Sequence, residues 1–173
     1  MVFSKFSVMT KISRIYGILF LFSVLLVGSC KEPSVEKNSN YKADFAETLE
    51  ELEEATARFV VGDADAFISM WEQSENITLS GGFGGEIEKG WEAISQRLNR
   101  VSNLYEQGRF EAERVSCAAG KEIAYVTQHE MITHRIEDGS DAVRNYRVTM
   151  VFRYAGNDWK LIHRQADLHT EQE

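Results

Sequence analysis

The spacing of apolar positions changes character partway along this chain, from helical to alternating. Phe45, Leu49, Leu52, Thr56 and Phe59 recur at alternating steps of four and three, the single stripe of an amphipathic helix. Asp44, Glu47, Glu50, Glu51, Glu53 and Glu54 crowd the first half of that helix, where carboxylates suit the helix dipole and form a solvated face. Gly62 stops it, and Asp63 is placed to cap a second helix that buries Phe67, Ile68, Met70 and Trp71. Asn76 to Ser80 alternates as a short strand. The turn Gly81-Gly82-Phe83-Gly84-Gly85 follows, without the Lys-Ser/Thr continuation of a phosphate-cradling loop, so it reads as a bend or a close approach. From Gly90, residues Trp91, Ile94, Leu98, Val101 and Tyr105 return to helical spacing, and Gly108 ends that region.

The rest is extended. Phe110 to Ala118, Glu122 to His134, Val143 to Tyr154 and Trp159 to His169 read as strands, joined by short turns of hairpin chemistry such as Glu137-Asp138-Gly139-Ser140 and Ala155-Gly156-Asn157-Asp158. Short connections make sequential strands antiparallel neighbours. The expected class is therefore α+β, with three N-terminal helices packed on a strongly curved, mostly antiparallel sheet. In the closing strand, strict alternation puts Trp159, Leu161, His163, Gln165, Asp167 and His169 on one face. That face would begin in the core and end at a polar site.

The first residues have a different logic. Lys5, Lys11 and Arg14 precede an apolar run from Ile15 to Val27, too short to span a bilayer, which needs about 20 residues, but suited to a signal peptide. The run ends in Val27-Gly28-Ser29-Cys30, which resembles the lipobox of bacterial lipoproteins. That resemblance implies cleavage after residue 29 and lipidation of Cys30. Residues 30–40 then form a lipidated cysteine and a polar tether holding the only proline, and 41–173 form the folded domain. Lys31 after the cysteine is consistent with outer-membrane cargo in a Gram-negative cell, so the expected location is the cell envelope.

Charge narrows the partners. The leader holds three basic residues and no acidic one, so its removal takes the net charge from −8 to −11. Such a domain lacks the basic footprint of a nucleic-acid binder, and its membrane attachment would be covalent rather than electrostatic. With Cys30 acylated, Cys117 has no disulfide partner and reads as a small buried residue.

Several motifs together resemble one family. Gly62-Asp63-Ala64-Asp65-Ala66, Gly90-Trp91-Glu92-Ala93-Ile94, Arg147-Val148-Thr149-Met150-Val151-Phe152-Arg153 and Gly156-Asn157-Asp158-Trp159-Lys160-Leu161-Ile162-His163 look like the SnoaL-like branch of the nuclear transport factor 2-like superfamily. The resemblance spans about Lys42 to His169. It implies a cone-like fold enclosing a pocket, usually as a homodimer, in a superfamily that includes isomerases, dehydratases, cyclases and non-catalytic members. Ketosteroid isomerases place a catalytic aspartate just after the first strand, where this chain has Ser80-Gly81-Gly82. Relatives often close with His-x-His-x-Ser, where this chain has His163-Arg164-Gln165-Ala166-Asp167.

The site candidates follow. His163 and Asp167, if they face a pocket, would transfer protons or orient a substrate. Gln165 lies between them, and His129, flanked by Tyr125 and Met131, is the candidate on the second long strand. The resemblance implies that Arg147 and Thr149 face the cavity, with Asp167 as the partner of Arg147. The apolar set Tyr146, Val148, Met150 and Phe152 would then form an outer, dimer-forming face. Composition alone assigns these two sets the other way. Trp71 is the tryptophan expected in the pocket wall. His163-x-Gln165-x-Asp167-x-His169 offers ligand types on one face, but a further strong ligand would have to come from His129 or His134 on another strand, so no metal and no cofactor are expected. The domain is expected to bind a small apolar or amphipathic molecule. The alternatives are proton-transfer catalysis by His163 and Asp167, or a non-catalytic dimeric interaction module.

Overall fold

The computed structural model describes residues 41–169 apart from 83, 106 and 137. The leader, Cys30 and the tether up to residue 40 lie outside the described residues, as does the chain beyond His169. Helix α1 (Tyr41–Phe59) and the short α2 (Asp65–Ser69) lead into strands β1 (Thr78–Ser80) and β2 (Glu88–Lys89). Helix α3 (Trp91–Ser102) follows, and then β3 (Arg109–Ala119), β4 (Ile123–Arg135), β5 (Asp141–Ala155) and β6 (Asp158–Leu168). The strands form one sheet in the order β2-β1-β6-β5-β4-β3, antiparallel except where β1 runs parallel to β6. This is the α+β architecture that the change of period implies, with the two-residue β2 as an addition.

The α1 stripe buries Phe45, Leu49, Leu52 and Phe59 against the sheet, while Glu47, Glu50, Glu51 and Glu54 remain exposed. Phe45 packs edge-on against Phe152 and Trp159, with centroids 5.3 and 5.2 Å apart. Full burial of side chains this large contributes about 1.5–3 kcal/mol each, so this helix–sheet junction is a main source of stability. Asp63 does not sit at the N-cap of α2, which is Ala64; its Oδ1 instead accepts the Asp65 N–H at 3.3 Å. Trp71 falls beyond α2, where it bridges to Leu161 as an isolated parallel pair and is 1% exposed.

Facing is where strict alternation fails. On β6, Leu161 stands opposite Phe152 and His163 opposite Val151, so Ile162 is an extra, bulged residue. Trp159 and Leu161 point into the core. Past the bulge, the inward positions pass to Arg164 and Ala166, and His163, Gln165 and Asp167 turn to the opposite face. On β5, Tyr146, Val148, Met150 and Phe152 are buried under the helices, whereas Arg147, Thr149 and Arg153 are exposed. The placement of Arg147 and Thr149 in the cavity is thus corrected. Packing of the apolar set, as composition implies, decides the facing, and an apolar outer face for dimer formation loses those residues. On β4, Ala124, Val126, Gln128, Glu130, Ile132 and His134 face inward, so Tyr125 and His129 face out. Cys117 is exposed rather than buried, on an edge strand that carries its own register shift between Arg114 and Ser116.

Candidate functional site

Between the helices and the inner face of the sheet lies a cavity of about 80 Å³. Phe59, Phe67, Leu79, Leu98, Val101 and Ile132 supply its apolar walls, brought there by α1, α2, β1, α3 and β4. Its polar groups among the described residues are Thr56, Arg97, Tyr105, Glu130, Tyr146 and Arg164, with the Thr56 hydroxyl already donating to the Leu52 carbonyl. Glu130 is 2% exposed. It accepts a hydrogen bond from Arg164 Nη2 at 2.6 Å and another from Gln128 Nε2 at 2.9 Å. A buried carboxylate requires such partners, because an isolated charge in a low-dielectric interior costs several kcal/mol. Arg97 Nη1 donates to Glu88 Oε1 at 2.9 Å.

Two adjacent glycines make room for this arrangement. A Cβ at position 81 would lie 2.0 Å from Arg97 Nη2, and one at position 82 would lie 2.3 Å from the Tyr146 ring. The close approach anticipated for Gly81-Gly82 is therefore made by two cavity side chains.

Burial pushes the Tyr105 hydroxyl up to about 12, reinforced by the neighbouring Tyr146 and opposed by the positive charges of Arg164 and Arg144. Burial also raises Tyr146, again against Arg144 and Arg164. Both phenols therefore stay protonated across the physiological range and are hydrogen-bond donors, not bases. Beyond Tyr105, His134 packs edge-on to its ring at 5.3 Å and is 8% exposed. Burial, and then the charge of Arg144, hold the His134 imidazole below its usual range.

That depression has a sign. As pH falls through about 6.5 the unfolded chain takes up the His134 proton before the folded chain does, so stability is lost on acidification. In His134→Phe this contribution disappears. Urea midpoints at pH 7.5 and 5.5 are expected to differ less in the variant than in the parent. An identical acid loss in both would assign the effect to other groups.

The residues singled out by alternation occupy a second place, an open groove of about 330 Å³ on the opposite face of the sheet. His129, Arg147, His163, Gln165 and Asp167 all line it. His163 Nδ1 lies 2.7 Å from Thr78 Oγ1, the residue opposite it on β1. Gln165 Nε2 donates to Asp167 Oδ2 at 3.4 Å. His129 meets His169 edge-on at 5.3 Å. Arg147 and Asp167 are opposite each other in the β5–β6 register but form no ion pair. The structure thus brings most of the predicted set together, but on the face of the sheet opposite the helix-covered cavity. Tyr125, 40% exposed, lies beside Ser116 at the margin of this face. Trp71 is core rather than pocket wall. Among the described residues no group of histidine, cysteine and carboxylate side chains is arranged to hold a metal ion.

The cavity residues that pattern reading passed over are Arg97, Glu130 and Arg164, with Tyr105 and Tyr146. The available signal was Gln128-x-Glu130 in phase with Ala124, Val126 and Ile132, two adjacent polar positions set between apolar ones on a strand face that ends at His134.

Comparison with known proteins agrees with this architecture. A family model described as a SnoaL-like domain matches residues 49–167. No curated protein matches the chain. Among solved structures, a nuclear transport factor 2-like superfamily protein from Salmonella enterica serovar Typhimurium is similar, with TM-score 0.65 and 12% identity over 76% of this chain and 95% of that one. A candidate dehydratase of the same superfamily from Streptomyces avermitilis has TM-score 0.64 and 18% identity, over 76% of this chain and 98% of that one. A third, from Novosphingobium aromaticivorans, with a cystatin-like fold, has TM-score 0.58 and 19% identity over 80% and 94%. At such identities the solved structures establish the fold alone. The family model covers more than half of the chain and joins the helical and sheet halves in one match, and the chain belongs to the SnoaL-like family.

Proposed function

We propose that this protein is a lipid-anchored cell-envelope protein whose SnoaL-like domain binds a small, largely apolar molecule in the helix-covered cavity. One observation carries the binding reading: apolar walls converge on a few polar groups that donate hydrogen bonds and are already held in place. Proton abstraction fits less well, because Glu130, the one carboxylate lining the cavity among the described residues, is committed to Arg164 and Gln128. An interaction module without a ligand is the second reading, favoured by the mixed outer sheet face, where Val115, Tyr125 and Val143 are exposed alongside His129, Arg147, Gln165 and Asp167, but it leaves the lined cavity unused. Anchoring rests on the lipobox-like Val27-Gly28-Ser29-Cys30 and the polar tether after it.

A single preparation tests both parts. Protein expressed in its own host is expected to fractionate with membranes and, in native mass spectrometry, to carry a small organic adduct that denaturation removes. Cys30→Ala should release it into the soluble fraction with the adduct retained. Membrane partitioning unchanged by Cys30→Ala would reject the anchor. A bare polypeptide in both preparations would reject the ligand.

A further inference from the structure

Directly after β1, where a base would stand in a related isomerase, the chain places a cation. Gly81 has no side chain, and the space its Cβ would fill is taken by Arg97 Nη2. Arg97 is mostly buried and uses Nη1 on Glu88, while Arg164 uses Nη2 on Glu130. A guanidinium has five N–H donors, so each arginine keeps donors beyond its one carboxylate partner. Among the described residues the charged groups lining the cavity are Arg97, Arg164 and Glu130, and each guanidinium is paired with one carboxylate, Arg97 with Glu88 and Arg164 with Glu130. The remaining walls are apolar and the volume is small.

We infer that the cavity selects a small apolar molecule bearing a carboxylate, with the carboxylate held by Arg97 and Arg164 and the apolar body lying against Phe59, Leu98 and Ile132. This deepens the binding reading above and rests on it. A carboxylate matches the planar fork of a guanidinium and takes the spare donors in charge-assisted hydrogen bonds, whereas an alcohol or amide of the same shape offers them only a neutral acceptor. The twin glycines then determine specificity: Gly81 admits the Arg97 head, and Gly82 admits the Tyr146 ring beside it.

Binding of matched pairs small enough for the cavity decides the matter: propionate against propionamide, and isobutyrate against isobutyramide, measured calorimetrically on the ligand-stripped full domain, with inorganic phosphate as a separate arm. The acid of each pair is expected to bind at least about tenfold more tightly than its amide, the discrimination that charge-assisted hydrogen bonds supply. Arg97→Gln should reduce that preference to about threefold or less with amide affinity little changed. Gly81→Ala provides a second variant. Its methyl meets only the far end of a flexible side chain, so the fold should persist while the Arg97 head is displaced and the acid preference falls likewise. Equal affinity for acids and amides would overturn the carboxylate assignment and leave the binding reading standing. Phosphate competing as well as the organic acids would overturn it in favour of a simple anion site. Failure of every acid and amide to bind would reject both readings together.

Discussion

Arg164→Met is expected to destabilise the domain by about 3–5 kcal/mol, the usual consequence of removing one partner from a buried ion pair. The Glu130 side chain is 2% exposed and, among the described residues, has only Arg164 and Gln128 as hydrogen-bond partners. Methionine fills much of the arginine volume, so the loss comes from a stranded carboxylate rather than from a hole. Glu130→Leu should cost less, because Arg164 keeps 15% exposure and reaches the cavity. The double variant Glu130→Leu/Arg164→Met should recover most of the loss, since an apolar pair of similar volume avoids the desolvation altogether. Urea denaturation of the four proteins closes the cycle. Single variants that each lose under about 1 kcal/mol would show that the pair is screened by solvent and contributes little to the fold.

The same pair marks the boundary of what pattern alone reveals. The α1 stripe is legible because every one of its members is buried, and helical spacing records that directly. The four long strands were legible from their turns, to within a residue or two at each end. Facing on β6 was not. Alternation is a rule about an unbroken ladder, and the Ile162 bulge inserts one residue without leaving a mark in composition. His163, Gln165 and Asp167 were therefore assigned to the phase of Trp159 and Leu161, and Arg164 was passed over. Glu130 escaped for a related reason. A buried charge is compatible with an inward face only through a partner on another strand, here 34 residues away, and that partner's phase depends on the bulge. Gly81-Gly82 was read correctly in kind, as a close approach, but the identity of the approaching groups is a tertiary fact.

Phe152→Ala and Arg147→Ala give the sharpest contrast between the two assignments of β5. Phe152 is 0% exposed, stands opposite Ala124 and Leu161 on its neighbouring strands, and meets the ring of Phe45 edge-on at 5.3 Å. Truncation removes that aromatic contact and leaves a cavity where α1 joins the sheet, with neighbours held by two strands and a helix and little able to close in. A loss of about 3–5 kcal/mol is expected, visible as a fall in the urea midpoint at unchanged slope. Arg147 lies in the open groove, exposed and without an ion pair to Asp167, so Arg147→Ala should change stability by no more than about 0.5 kcal/mol. Had Arg147 and Thr149 faced the cavity, the order would reverse: removing a buried arginine would be severe, and trimming an outer phenylalanine mild. A larger loss from Arg147→Ala than from Phe152→Ala would overturn the facing of β5, and with it the assignment of the cavity to Glu130, Tyr146 and Arg164.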